Sequence, residues 1–211
     1  MGNWLSTLSI SFFLEGVSII FFFLVLFISF FIYLLEKRQT AQKIFPGKIN
    51  YKFLIITTVF FRIFFAAAKT ISQYYVWGQN EFTQFLLPPH QSIKYFIFYS
   101  WGHFWINVIL SISVAAVFYL LLRGLKKYQE RFFEEGETEL GFLIALIVGW
   151  PVIVIFVPMI FVLAIFLMIF RYFIFKETLI PLGGVFFLAA FITIIWGNQL
   201  IKILNLGVLR I

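Results

Sequence analysis

Four stretches of this chain, Ile10 to Leu35, Phe53 to Ala68, Tyr95 to Leu122 and Pro181 to Leu204, are apolar over lengths that no soluble helix needs. A helix crosses the hydrocarbon core of a bilayer with about 20 apolar residues, and the second stretch approaches that length when it is extended to Ser72. Inside lipid every backbone N–H and C=O has to be satisfied within the protein, which leaves helices or closed barrels. Long apolar runs without strict alternation select helices. Composition agrees, with 63% hydrophobic residues, 12% charged residues and a mean hydropathy of +1.02, against about 45–50% apolar and about 25% charged in a soluble domain. No polar linker interrupts the chain, so residues 1–211 read as one all-α membrane domain.

A further apolar run, Leu140 to Phe170, is broken by Gly149-Trp150-Pro151 and again by Pro158. It is either one long kinked span or a hairpin of a short and a longer helix. The hairpin puts the basic segments 36–52, 123–139 and 171–180 on one side, which the positive-inside rule makes cytoplasmic. The opposite side then holds Trp4, Trp77, Trp101, Trp105, Trp150 and Trp196 at one interface, where indoles prefer to sit. The expectation is therefore six transmembrane helices, about 10–35, 53–72, 95–122, 139–149, 151–171 and 180–204, with a short fourth helix and both termini outside. At 1.5 Å per residue the fourth reaches only about 16 Å, so protein must surround it or it must begin in a wet recess, which Glu137 and Glu139 at its start would furnish. Gln73 to Gln91 reads as an interfacial loop or short amphipathic helix. The first apolar run is too long for the core of a cleavable signal, which spans about 7–15 residues.

The same composition excludes whole classes of chemistry. There is no cysteine, hence no disulfide, thiol nucleophile or thiolate metal site, and two histidines make a His-ligated metal centre an unpromising reading. Neither metal nor cofactor is expected. The net charge of +7 sits between apolar runs, so membrane lipids, and not nucleic acid, are the expected counter-charge. All nine acids are glutamates.

Three blocks stand out. The loop after the first helix reads Glu36-Lys37-Arg38-Gln39 and then Phe45-Pro46-Gly47-Lys48-Ile49. Leu122-Arg123-Gly124 leads into Glu134-Glu135-Gly136-Glu137-Thr138-Glu139 and Leu140-Gly141-Phe142-Leu143, ending at Gly149-Trp150. Ile180-Pro181-Leu182-Gly183-Gly184 opens the last helix, which closes with Trp196-Gly197. In these blocks the chain resembles the membrane domain of type IV prepilin peptidases, bacterial aspartic proteases that cut leader peptides from pilin-like substrates. The resemblance runs from about Ile20 onward and is most specific in the C-terminal third. It implies six helices, a site at the cytoplasmic face of a bacterial inner membrane, and pilin-like leader peptides or type IV pilus and secretion components as partners.

The resemblance also places the family's two catalytic aspartates on this chain. One falls on Glu137. The other falls on Gln39 by strict spacing from Pro46, or on Glu36 if a three-residue insertion brings Glu36-Lys37-Arg38 onto the family's D-x-R pattern. A working dyad needs one ionised and one protonated carboxyl close enough to drive their pKa values apart. Glutamate adds a methylene to a geometry in which about 1 Å of misplacement costs about a hundredfold in rate. A catalytically degenerate relative that binds leader helices is the leading expectation, with an active peptidase on Glu137 and Glu36 beside it. A carboxylate at a helix start also has the ordinary task of satisfying free N–H groups.

A third expectation, from another class, is a small transporter or channel component. Arg62, Ala66 and Lys69 share one helical face at i, i+4, i+7. Either that face, with Arg38 and Glu139, lines a polar recess that holds a substrate or lipid carboxylate, or Arg62 snorkels to the interface or pairs internally with Glu15 or Glu81. A continuous polar path through Arg62, Lys69 and Glu137 is what transport would require. His103, between Trp101 and Trp105, reads as a hydrogen-bonded interfacial histidine.

Overall fold

The computed structural model describes residues 2–37, 51–128, 136–176 and 182–209, and among them every regular element is helical. In chain order these are α1 (Gly2–Lys37), α2 (Tyr51–Gln79), α3 (Ile93–Ser100), α4 (Ile106–Tyr128), α5 (Glu137–Val148), α6 (Ile153–Phe175) and α7 (Leu182–Ile203). A π-helical turn, Trp101–Trp105, joins α3 to α4 without a break, and 3₁₀ turns occupy Thr83–Leu86 and Leu206–Leu209. Five helical segments among the described residues are long and apolar enough to cross a membrane: Phe13–Leu35, Tyr51–Gln79, Ile93–Tyr128, Ile153–Ile174 and Leu182–Ile203. The twelve residues of α5 reach about 18 Å, short of the roughly 30 Å core. The expected short fourth helix is thus present as a half-length helix, and by length and apolarity five helices among the described residues, not six, are fit to cross.

α2 runs seven residues beyond the expected Ser72, because neither Gly nor Pro interrupts Gln73 to Trp77. Trp77, expected in an interfacial loop or short amphipathic helix, is buried against Phe96 and Tyr99. Just past the end of α2, Asn80 Oδ1 accepts the Phe82 N–H at 2.9 Å, the local side-chain turn that competes with helix.

α5 is the axis of the bundle. Leu140, Leu143, Ile144, Ala145 and Leu146 are essentially inaccessible, so this helix is covered on all sides, as a helix apolar all round must be. It packs against α1, α2, α4 and α7. Gly141 permits close approach of two of these, since a Cβ there would collide with Leu122 of α4 and lie 3.2 Å from the Phe186 ring of α7.

Contact levels fix the direction of the chain after α5. Along α4, Leu122 stands beside Gly141 and Ser111 receives the Trp150 N–H, so α4 and α5 are antiparallel. Yet the Phe156 ring lies 6.0 Å from Phe118, back at a level between those two. α6 therefore returns toward the side from which α5 entered, and the chain reverses at Gly149–Val152. The two helices splay as they part, and α6 packs instead along α7. Gly183 at the start of α7 lies against Tyr33 and Glu137, and Gly197 near its end lies against Val152. The helix ends at Lys37, Tyr51, Tyr128, Glu137, Phe175 and Leu182 thus lie on one face, and Lys37, Lys52, Arg123, Lys126, Lys127, Arg171 and Lys176 fall within six residues of them.

Candidate functional site

At the entrance of α5, Gly136 adopts φ +86°, and a Cβ there would lie 3.3 Å from the Tyr51 ring. That left-handed residue turns the chain into Glu137, whose side chain is 2% exposed. Glu137 Oε1 accepts the N–H of Gly183 at 2.6 Å. Gly183 lies in the first turn of α7, where backbone N–H groups have no partner within the helix and the dipole favours a negative charge. The carboxylate thereby bridges two helices: it sits on the first residue of α5 and caps the start of α7. Charge-assisted bonds of this length are the strong ones. Thr138 Oγ1 donates to Glu139 Oε2 at 2.7 Å, and Glu139 is half-buried.

This corrects the expected wet recess at the acidic entrance, because Glu137 is enclosed against α7. Of the other positions that the sequence marked on this face, Glu36 lies in the last turn of α1 with its side chain outside the described residues. Arg38, Gln39, the Phe45 to Ile49 turn and Glu134 lie outside them altogether.

The opposite end of α5 carries the denser polar arrangement. Arg62, eleven residues into α2, reaches across to the last carbonyls of α5: Nε donates to Leu146 O at 2.9 Å, and Nη2 donates to Leu146 O at 2.5 Å and to Ile147 O at 3.2 Å. Those carbonyls have no acceptor role inside the helix, and the partial negative charge of a helix C-terminus favours a cation. The guanidinium also lies 4.7 Å from the centroid of the Phe22 ring on α1, and Nη1 is 3.4 Å from Ser111 Oγ on α4. Gly149 makes the approach possible. It adopts φ +65° and ψ 177°, and a Cβ there would collide with Arg62 Nη2 and stand 2.9 Å from Cζ.

The expected pairing of Arg62 with Glu15 or Glu81 is therefore replaced by backbone carbonyls. Glu15 instead meets Lys69 Nζ at 3.7 Å. Trp150, expected at the outer interface, stands at the level of Arg62 and Ser111, its N–H donating to Ser111 Oγ at 2.9 Å. About 26 Å of α2 continue beyond Arg62, so the reversal lies well inside the bundle.

Above the reversal, between α1, α2 and α4, is a cavity of about 170 Å³. Arg62, Lys69, His103, Asn107, Ser111 and Trp150 contribute to its lining. Glu137 does not share it: the inaccessible side chains of Leu140, Leu143, Ile144 and Leu146 lie between. Among the described residues, buried apolar side chains of α5 therefore separate Glu137 from Arg62 and Lys69. Among the described residues no group of His, Asp or Glu has the arrangement of a metal site.

Ser111 and Asn107 went unmarked in the sequence reading, although their i, i+4 spacing in an otherwise apolar helix is a legible signal. Ser111 is 1% exposed, donates to Asn107 O at 2.7 Å and accepts the Trp150 N–H. Ser111→Ala strands that N–H at the reversal, and a loss of about 1–3 kcal/mol is expected, read as a lowered unfolding midpoint in detergent. An unchanged midpoint would show that the N–H finds another acceptor.

No family model, no curated protein and no solved structure matches this chain. What the fold defines is a class: an all-helical chain with membrane-length apolar helices arranged around a buried half-length helix.

Proposed function

We propose that this chain is a membrane-embedded binding protein of prepilin-peptidase-like layout, which takes the apolar helix of a leader-bearing partner at its basic-loop face without cutting it. The carrying observation is the use made of Glu137. The residue that occupies the place of a catalytic aspartate spends its carboxylate on the Gly183 N–H at 2.6 Å, inside the joint between α5 and α7. A general base has to reach its water with a free lone pair and sufficient exposure, whereas this side chain is 2% exposed. The lack of any aspartate in the chain supports the same reading, as does the gathering of Lys37, Lys52, Lys126, Lys127 and Lys176 at helix ends that lie on one face.

The test uses the purified full chain and a synthetic peptide with a basic leader followed by an apolar helix. Saturable binding without cleavage is expected. Glu137→Gln should leave that null cleavage unchanged while lowering the unfolding free energy by about 1–3 kcal/mol, the cost of weakening a charge-assisted bond to a buried N–H, read as a lowered unfolding midpoint. A cleaved product that vanishes in Glu137→Gln at an unchanged midpoint would overturn the proposal.

A further inference from the structure

The cavity above the reversal stands apart from the reading just given, because it lies at the other end of α5. Its polar lining has one sign. Arg62 and Lys69 bring positive charge, His103 an imidazole ring, Asn107 a side-chain N–H beyond the one given to His103 O, and Ser111 a hydroxyl whose proton goes to Asn107 O; no carboxylate is among the lining residues. Glu15 meets Lys69 from outside that lining, with 64% of its side chain exposed.

Arg62 is held in place by α5 without being neutralised by it. A guanidinium has five N–H donors. Among the described residues, Nε and Nη2 are committed to the carbonyls of Leu146 and Ile147, while Nη1 has the Ser111 Oγ contact alone, at 3.4 Å. The end of a helix carries only about half a negative charge. The joint therefore keeps a net positive charge in surroundings where an unbalanced charge is expensive.

The walls are built and not incidental. The π-helical turn Trp101–Trp105 adds a residue to the helical repeat where His103 and Phe104 meet the cavity, and such turns gather at functional sites. Trp105 Nε1 ties that turn to α2 by donating to Thr70 Oγ1 at 3.2 Å, and His103 Nδ1 is 3.1 Å from Tyr99 O. Phe22 and Phe65 complete the enclosure from α1 and α2. At about 30 Å³ per water, the space of about 170 Å³ suits a compact hydrated anion with a short stem.

We propose that this recess binds a phosphate group, carried by a phospholipid of the leaflet opposite the basic loops, with its oxygens on Arg62 Nη1, Lys69 Nζ and the remaining Asn107 Nδ2–H, while His103 Nε2 accepts from a headgroup hydroxyl. Phosphate oxygens accept several charge-assisted bonds at once, and Lys69 at 31% exposure guides the headgroup past Glu15. Free phosphate offers the same chemistry without the acyl chains.

The test titrates the purified full chain, in nonionic detergent, with phosphatidylglycerol, with inorganic phosphate and with diacylglycerol of matched chain length, reading the unfolding temperature. A saturable rise with phosphatidylglycerol is expected, at a lower half-effect concentration than with inorganic phosphate. In a Lys69→Gln, His103→Gln double variant the half-effect concentration should rise at least about tenfold, since the charged Lys69 bond and the His103 bond are both lost. His103→Gln alone, at an exposed position, should move it in the same direction and serves if the double variant does not fold. Protection by inorganic phosphate alone would assign the site to the free anion. Equal protection by diacylglycerol, no protection by either phosphate carrier, or an unmoved half-effect concentration in the variants overturns the proposal.

Discussion

Replacing Arg62 with leucine is expected to lower the stability of the folded chain by about 2–5 kcal/mol, since the carbonyls of Leu146 and Ile147 are left without donors and each buried unsatisfied acceptor costs about 1–3 kcal/mol. One effect opposes this. A centrally placed arginine costs about 2.5–3.5 kcal/mol on insertion scales, and leucine removes that cost. The opposing effect is the smaller one, because in the unfolded but inserted chain a long arginine side chain reaches toward the interface and recovers much of its hydration. The loss of carbonyl partners has no such relief. Arg62→Lys retains the charge and one point of donation but not the fork that serves Leu146 and Ile147 together, and should fall between the two. Unfolding by graded denaturing detergent, followed by tryptophan fluorescence, checks the order. Leucine as stable as arginine would mean that the end of α5 needs no donor.

Gly149→Ala should be at least as damaging, by about 3 kcal/mol or more, and for two separable reasons. Its backbone, at φ +65° and ψ 177°, occupies a region that is essentially restricted to glycine, worth about 1–3 kcal/mol by itself. The added methyl would also occupy the position of Arg62 Nη2. A double-mutant cycle divides these contributions. In an Arg62→Leu background the collision disappears and only the backbone cost remains, so the two substitutions should couple by about 0.5–3 kcal/mol. Strict additivity would show that Gly149 is required for its dihedral angles alone.

Much of the architecture is legible in the residues, and what is not has a common physical cause. The long apolar runs mark the membrane-length helices, and Gly149-Trp150-Pro151 marks the corner at which α6 turns back. The side chains at both ends of α5 are also conspicuous as letters, since Glu137 opens a greasy run and Arg62 interrupts another. Their partners are not, because both are backbone atoms: the N–H of Gly183 and the carbonyls of Leu146 and Ile147. A main-chain group has no sequence signature, so the charge pattern suggests carboxylate partners for Arg62 where the fold supplies a helix end.

The cavity is displaced from the expected end of α5 for the same reason. An acidic entrance suggests water, but a helix N-terminus satisfies Glu137 there, and space opens instead where α5 stops short. The boundary of α2 shows the weakness of tyrosine and glutamine as punctuation. Gln73 to Trp77 is polar enough to read as an interfacial segment, yet nothing in it breaks a helix, and Trp77 finds Phe96 to bury against.

The half-length helix also bears on how the chain is assembled. Twelve residues offer too little length to be released into lipid as an independent span, so α5 and α6 must enter as one unit against a docking place that already exists. The side chains shown hydrogen-bonding at the tip of α5, Arg62 and the Ser111 hydroxyl, lie earlier in the chain than α5. Synthesis from the N-terminus therefore builds the socket before the plug emerges, while the clasp from Glu137 to Gly183 closes only once the final helix has been made.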